Sequence, residues 1–383
     1  MRPSEFKNSA KQMLENNILR FWSEEMVDHE QGGFYGRIDG HNILHPDAPK
    51  GAVLNARILW TYATACRFFH RMPYRILAAR AKDYLLTRFI DPQYGGVYWS
   101  LNADGTPLDT KKQTYAIAFA IYGLVEYHRA IGDQEALKTA IRLFEDLEKH
   151  AFDAINQGYI EALTRDWKPI ADMRLSEQDE NGSRTMNTHL HVLEAYTSLY
   201  RVYHHPRVER QLRVLIDIFV NRLYNPENGH LDLFFDDQWQ GKHDKTSPGH
   251  DIEAAWLLRE ALKVLGDKEL LEQTLPVCRS LAQASEDGIM RESQWWCYAE
   301  AVVGYIDQWQ QLRYKSSVEA AINYELACAA YDYILTHLVD KENGEWYWSV
   351  LSDGTPDRSD DKAGFWKCPY HNSRMCFELI ERL

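Results

Sequence analysis

Paired helical stretches, separated by short aromatic strands that open on glycine and recur about every 60 residues, predict an all-α fold. The expected form is a closed (α/α)6 barrel of about twelve helices with short β-hairpins at one rim. The strand segments begin at Gly33, Gly96, Gly158, Gly229 and Gly344, with a weaker sixth at Gly288 (GIMRES). Two of them nearly copy each other, YWSLNADGTP from Tyr98 and YWSVLSDGTP from Tyr347. An open α-solenoid is the alternative, but its repeats are shorter, about 34–47 residues. One catalytic domain spanning 1–383 is therefore expected.

The helical patterns follow in order. A first helix is expected near 4–27, then 53–71 with 74–90, 113–131 with 134–150, and 185–204 with 207–223. Next come 250–265 with 267–287, 295–313 with 317–338, and a last helix near 366–382. In the second of these, Ile58, Leu59, Tyr62, Ala65, Cys66 and Phe69 recur at helical spacing. Gly132-Asp133 and Gly266-Asp267 supply stops between paired helices.

Composition narrows the function. The net charge of −13, with no Lys/Arg-rich run, argues against a nucleic-acid partner, which requires basic surface. No stretch approaches the roughly 20 apolar residues of a membrane span. The six cysteines show no CxxC or other zinc spacing and read as reduced thiols. The first residues, MRPSEFKNSAKQML, lack the apolar centre of a signal peptide, so a soluble cytoplasmic protein is expected. The 12 Trp and 22 Tyr exceed what a core requires, and flat rings with polar tips suit sugars.

In a barrel of helical hairpins each strand pair feeds an inner helix, so the first turns of the inner helices face one cavity. Their polar and aromatic residues are Arg57, Gln113 with Tyr115, Asn187 with His191, His250 with Glu253, Trp295 or Trp296 with Glu300, and Trp366 with His371. Three histidines and an arginine converging among aromatics make an active-site composition.

At these positions the sequence resembles the N-acylglucosamine 2-epimerase superfamily, in its cellobiose and mannose 2-epimerase branch. The likeness runs nearly end to end. Its carriers are NARILW at 55–60, MNTHLHVLEAY at 186–196, GHDIEAAWLL at 249–258, WWCYAEA at 295–301 and WKCPYHN at 366–372. The resemblance implies the same barrel and a metal-free, cofactor-free inversion of carbon 2 of an unmodified aldose. One departure stands out. Disaccharide epimerases of this branch carry a longer insert before the WWxxAE helix, whereas here only residues 286–294 precede Trp295. A short loop there offers little to a second sugar ring, so free mannose and glucose are the expected substrates, with cellobiose the alternative.

Inverting carbon 2 requires an open-chain aldehyde, removal of its α-proton, and return of a proton to the opposite face. Imidazole, titrating near pH 6.5, suits both transfers. His250 and His371 open different inner helices and form the expected acid–base pair, the role the resemblance also gives them. Arg57, with His191 as a further donor, is expected to stabilise the enediolate. Glu253, one turn after His250, is placed to orient that imidazole or bind sugar hydroxyls. Asn187, Tyr115, Asp179 and Trp366 are expected to contact substrate, as is one of Trp295 and Trp296, with Trp296 preferred. The YWS hairpins are expected to pack the rim. His189 and His191 point about 200° apart on a helix, so they cannot share one metal ion, and no metal is expected.

Three other classes compete. Inverting glycosidases also use such barrels, but with paired carboxylates rather than opposed histidines. A non-catalytic sugar-binding protein needs the aromatics alone. Aldose–ketose isomerisation shares the enediolate and differs only in the carbon that is reprotonated. The expected partner is a small sugar, with the chain a monomer or homodimer.

Overall fold

A computed structural model describes residues 1–241 and 245–383. Its helices in chain order are α1 (Pro3–Met13, prolonged through π-helical Leu14–Leu19 into Arg20–Glu24), α2 (Ala52–Phe69), α3 (Met72–Tyr84, ending in π-helical Leu85–Phe89) and α4 (Thr114–Ile131). There follow α5 (Gln134–His150), α6 (Met186–Val202), α7 (Pro206–Ile218, then π-helical Phe219–Leu223) and α8 (Pro248–Leu265). The last are α9 (Lys268–Ile289), α10 (Trp295–Leu312), α11 (Ser317–Tyr333, then π-helical Ile334–Leu338) and α12 (His371–Arg382).

Burial sorts them into two rings. In α2 every residue from Ala52 to Cys66 is buried, as befits a helix apolar nearly all round. In α5 only a stripe is buried, from Ala136 and Thr139 through Leu143 to Leu147. The even-numbered helices form the inner ring and the odd-numbered ones the outer. The inner ring closes where α12 meets α2: Thr61 donates to the Pro369 carbonyl at 2.8 Å, and Trp60 meets Phe377 edge-on. Because α1 packs on α12, the sixth hairpin is built from the two ends of the chain. The expected (α/α)6 barrel is the observed fold. Among the described residues, no helix is long and apolar enough to cross a membrane.

The sequence signals for helix ends act as expected. Gly132 and Gly266 close α4 and α8 in the left-handed region, and Asp133 and Asp267 cap the helices that follow through the amides of Ala136 and Leu270.

The rim strands lace neighbouring units together. Strands leading into four inner helices pair with the hairpin of the next unit: Lys50 opposite Leu101, Lys112 opposite Leu163, Arg184 opposite Phe235 and Gln294 opposite Ser349. Ile38 opposite Ala363 carries the lacing across the chain ends. A second regularity escaped the sequence reading. Four of the hairpins are preceded by an acidic turn whose carboxylate caps nearby amides and pairs with a buried basic residue of the lead-in strand; before Gly229 the turn residue is Asn225. Lys50 meets Asp28 at 2.6 Å, Lys112 meets Asp91 at 3.0 Å, Arg184 meets Asp153 at 2.6 Å, and Lys362 meets Asp340.

Among the described residues five hairpins form, not six. Gly158, at φ 97°, shows why these positions take glycine: a Cβ there would lie 2.5 Å from the Trp239 ring. Gly288 is not in the left-handed region and lies inside α9, so GIMRES closes a helix and opens no strand. The last helix also starts later than expected, at His371, which leaves Trp366 in the preceding loop.

Candidate active site

The N-termini of the inner helices meet at one mouth, where a cavity of about 480 Å³ opens. Its wall includes Arg57 from α2, Tyr115 from α4, Asn187 and His191 from α6, and His250 and Glu253 from α8. Trp295 and Trp296 from α10, Trp366 and His371 complete the ring, with Asp179 on a loop over the mouth. Of the residues put forward from the sequence, all but Gln113 and Glu300 thus border one space. The volume lies within the roughly 300–1,000 Å³ usual for small-molecule sites.

The three histidines share a design: each engages Nδ1 with the protein. His371 donates to Glu300 at 2.7 Å, His191 donates to Glu194 at 3.0 Å, and His250 pairs with the Ser247 hydroxyl at 2.7 Å. Nε2 is left for a ligand. Desolvation dominates their titration, pushing His191 down to about 4, His250 down to about 3, and His371 well below the usual histidine range. All three are neutral bases at pH 7. The Trp296 ring lies against both outer members, 4.6 Å from His250 and 5.7 Å from His371 between centroids.

Arg57 is buried and faces the cavity from between Phe119 and Tyr370, 4.2 and 4.6 Å from their centroids. Its Nη2 donates to Tyr115 Oη at 2.8 Å. A guanidinium gripped by π-faces and a phenol keeps its charge and one fixed direction. Asn187 Oδ1 is buried with no protein partner, as expected of a group kept for a ligand.

Several expectations require correction. Glu253 does not orient His250; its Oε1 accepts from Arg374 Nη2 at 2.5 Å, and it stands 4.0 Å from His371. Both Trp295 and Trp296 border the cavity, because Trp295 lies deeper, 1% exposed, with its ring between His371 and the Lys367 ammonium. The two YWS hairpins differ: Trp99 is buried against Phe365 and Trp366, whereas Trp348 reaches the cavity. Gln113 does not face the cavity but donates to the carbonyls of Met173 and Arg174, tying down the loop that carries Asp179. Asp179 holds that loop from within, accepting from the amide and hydroxyl of Ser176 at 2.9 Å each. His189 turns away from the cavity, bonded to Thr185 and Tyr159, as its helical offset from His191 demands.

Behind the wall lies a cluster that the sequence reading missed in part. Arg374 contacts Glu194, Glu253 and Glu300, the last at 2.7 Å. Glu253, Glu300 and His371 each present one atom within 4.8 Å of the others, a spacing that suits a cation. The Arg374 guanidinium already supplies one, directed at both carboxylates.

Buried imidazoles, an arginine and a wall of indoles, gathered at the mouth of an (α/α)6 barrel, are the makings of a carbohydrate-active enzyme. Comparison with known proteins agrees. The N-acylglucosamine 2-epimerase (GlcNAc 2-epimerase) family model matches residues 33–373. Cellobiose 2-epimerase of Bacteroides fragilis is 52% identical over 98% of both chains, and that of Ruminococcus albus is 39% identical over the same share. The structure of cellobiose 2-epimerase from Bacillus thermoamylovorans superposes with a TM-score of 0.91 at 36% identity, covering 99% of this chain and 100% of that one. The chain belongs to the N-acylglucosamine 2-epimerase family and is a sugar 2-epimerase, an isomerase.

Proposed function

We propose that the enzyme inverts carbon 2 of the reducing-end glucose of a β-1,4-linked disaccharide, converting cellobiose to glucosyl-mannose. The observation that carries this reading is the end-to-end 52% identity to a cellobiose 2-epimerase. It displaces free mannose, the substrate expected from the short segment before Trp295. That expectation took residues 286–294 for a rim loop, whereas α9 runs to Ile289 and absorbs much of the segment. The mouth is bordered instead by Leu175–Asp179, Trp348 and Trp366, surfaces suited to a second ring.

In this reading one neutral imidazole of the His250/His371 pair removes the carbon-2 proton of the open-chain sugar. As negative charge gathers on the enediolate, the second imidazole takes up a proton from solvent at the open mouth and delivers it to the other face of carbon 2, and the first imidazole then releases the abstracted proton to solvent. Glu300 backs His371 with a carboxylate, while His250 has the Ser247 hydroxyl. Arg57 and the converging helix N-termini hold positive potential where O1 and O2 gather charge. Asn187, His191 and Asp179 bind hydroxyls, while Trp296 and Trp366 stack on sugar faces.

Initial rates on cellobiose and mannose test the substrate assignment. We expect kcat/KM for cellobiose to exceed that for mannose by about tenfold, about 1.4 kcal/mol of transition-state binding from the second ring. Faster turnover of mannose would return the chain to the monosaccharide reading.

A further inference from the structure

Three carboxylates share one guanidinium behind the cavity. Two of them are well supplied with other donors. Glu194 accepts from His191 and from Tyr370 Oη, and Glu300 accepts from His371 and from Trp256 Nε1 at 3.1 Å. Glu253 has Arg374 on Oε1, while its buried Oε2 has no protein partner. The next guanidinium, Arg57, bonds to Tyr115 and Cys368 and pairs with none of the three.

Charge counting then points one way. Three ionised carboxylates against Arg374 and Arg57 would bury an uncompensated negative charge, which low-dielectric surroundings penalise heavily. A proton relieves it, and the carboxylate with the fewest donors takes that proton at least cost. Glu253 faces Glu194 from α6, Glu300 and the Cys297 thiol from α10, and Arg374, His371 and the neighbouring Tyr370 phenol from the α12 segment. Tyr115 faces it from α4, and Arg57 of α2 stands on the wall of the same cavity.

We infer that Glu253 is a neutral carboxylic acid in the resting enzyme, and that its Oε2–H donates a hydrogen bond to the sugar oxygen on which enediolate charge collects. The role of the donor rests on the 2-epimerase reading above; the protonation state rests on the cluster alone. No proton is transferred in this step, so the two imidazoles remain the acid and base. Burial first, then the neighbouring Glu300, push the Glu253 carboxyl up to about 8 against the pull of Arg374, in keeping with this assignment.

Infrared difference spectroscopy on the full-length enzyme without substrate tests the protonation. We expect a carboxylic-acid carbonyl band at pH 7 that shifts in heavy water, fades as pH rises through about 8, and is missing from Glu253→Gln. Turnover of cellobiose tests the donor. Glu253→Gln keeps an N–H donor and should retain kcat within about tenfold of wild type while losing the alkaline fall in kcat/KM. Glu253→Ala should lose about 10²–10³ in kcat. No band at pH 7, or a band that survives in Glu253→Gln, would overturn the neutral acid. A Gln variant as inactive as the Ala variant would overturn the donor role. If wild type leaves cellobiose unchanged, the disaccharide reading fails and the infrared band still decides the protonation of Glu253.

Discussion

Each cavity histidine commits Nδ1 to the protein and offers Nε2 to a ligand, which turns three buried imidazoles into directed bases. In the proposed mechanism His250 and His371 act as proton acceptor and donor. Replacing either with Asn should lower kcat by at least about 10³-fold while circular dichroism and sugar binding persist. Retention of substantial activity in one variant would remove that histidine from the chemistry. The third histidine gives a stability test. Desolvation outweighs the Glu194 hydrogen bond and holds native His191 at about 4, against about 6.5 in the unfolded chain. Between those values only the unfolded chain takes up this proton. Stability from the group is therefore intact above pH 6.5 and is lost as pH falls toward 4. From pH 6.5 to 5, wild type should lose about 2 kcal/mol relative to His191→Asn. Urea midpoints at the two pH values decide it, and parallel losses in both proteins would contradict it.

At the scale of elements, a turn aspartate pairs with a buried lysine or arginine of the segment leading into α2, α4, α6 and α12, and so helps set where those inner helices begin. Lys50 and Asp28 are fully buried, and Asp28 also caps the amides of Glu30 and Gln31. Lys50→Met should therefore destabilise by about 3–5 kcal/mol, since it strands a buried carboxylate. Adding Asp28→Asn removes that charge but keeps an oxygen for the turn, and should recover at least about 2 kcal/mol. Chemical denaturation of the two variants measures both terms; a double variant no more stable than the single one would show that the pair matters only as a lysine contact. The same scale explains what was legible in the sequence. Gly132-Asp133 and the glycine-opened aromatic segments announce local conformations, and these formed where expected. Gly288 looked similar but lies at the end of a helical pattern, where helix continuation through Ile289 prevails. Arg374 and Glu194 gave no signal because their meaning lies in a contact across 180 residues of chain. Their helical spacing alone reads as ordinary buried polarity. Trp348 was hidden for a related reason: it stands in a segment nearly identical to that of Trp99, and only the packing of Trp99 against Phe365 and Trp366 separates their roles.

At the scale of the whole molecule, a ring closed by its own termini brings six helix starts to one mouth, and most of the candidate site residues lie near those starts. That relation made the site readable from sequence, because knowing the repeat was enough to know which residues meet. Substrate size was not readable in the same way, since it depends on rim segments whose conformation the repeat does not dictate. The central claim, proton exchange at carbon 2 without cleavage of the glycosidic bond, has one direct measurement. Cellobiose incubated with the enzyme in deuterated water should yield glucosyl-mannose carrying deuterium at carbon 2 of the reducing residue, seen by NMR of the products. Release of free glucose, or accumulation of glucosyl-fructose alone, would contradict it.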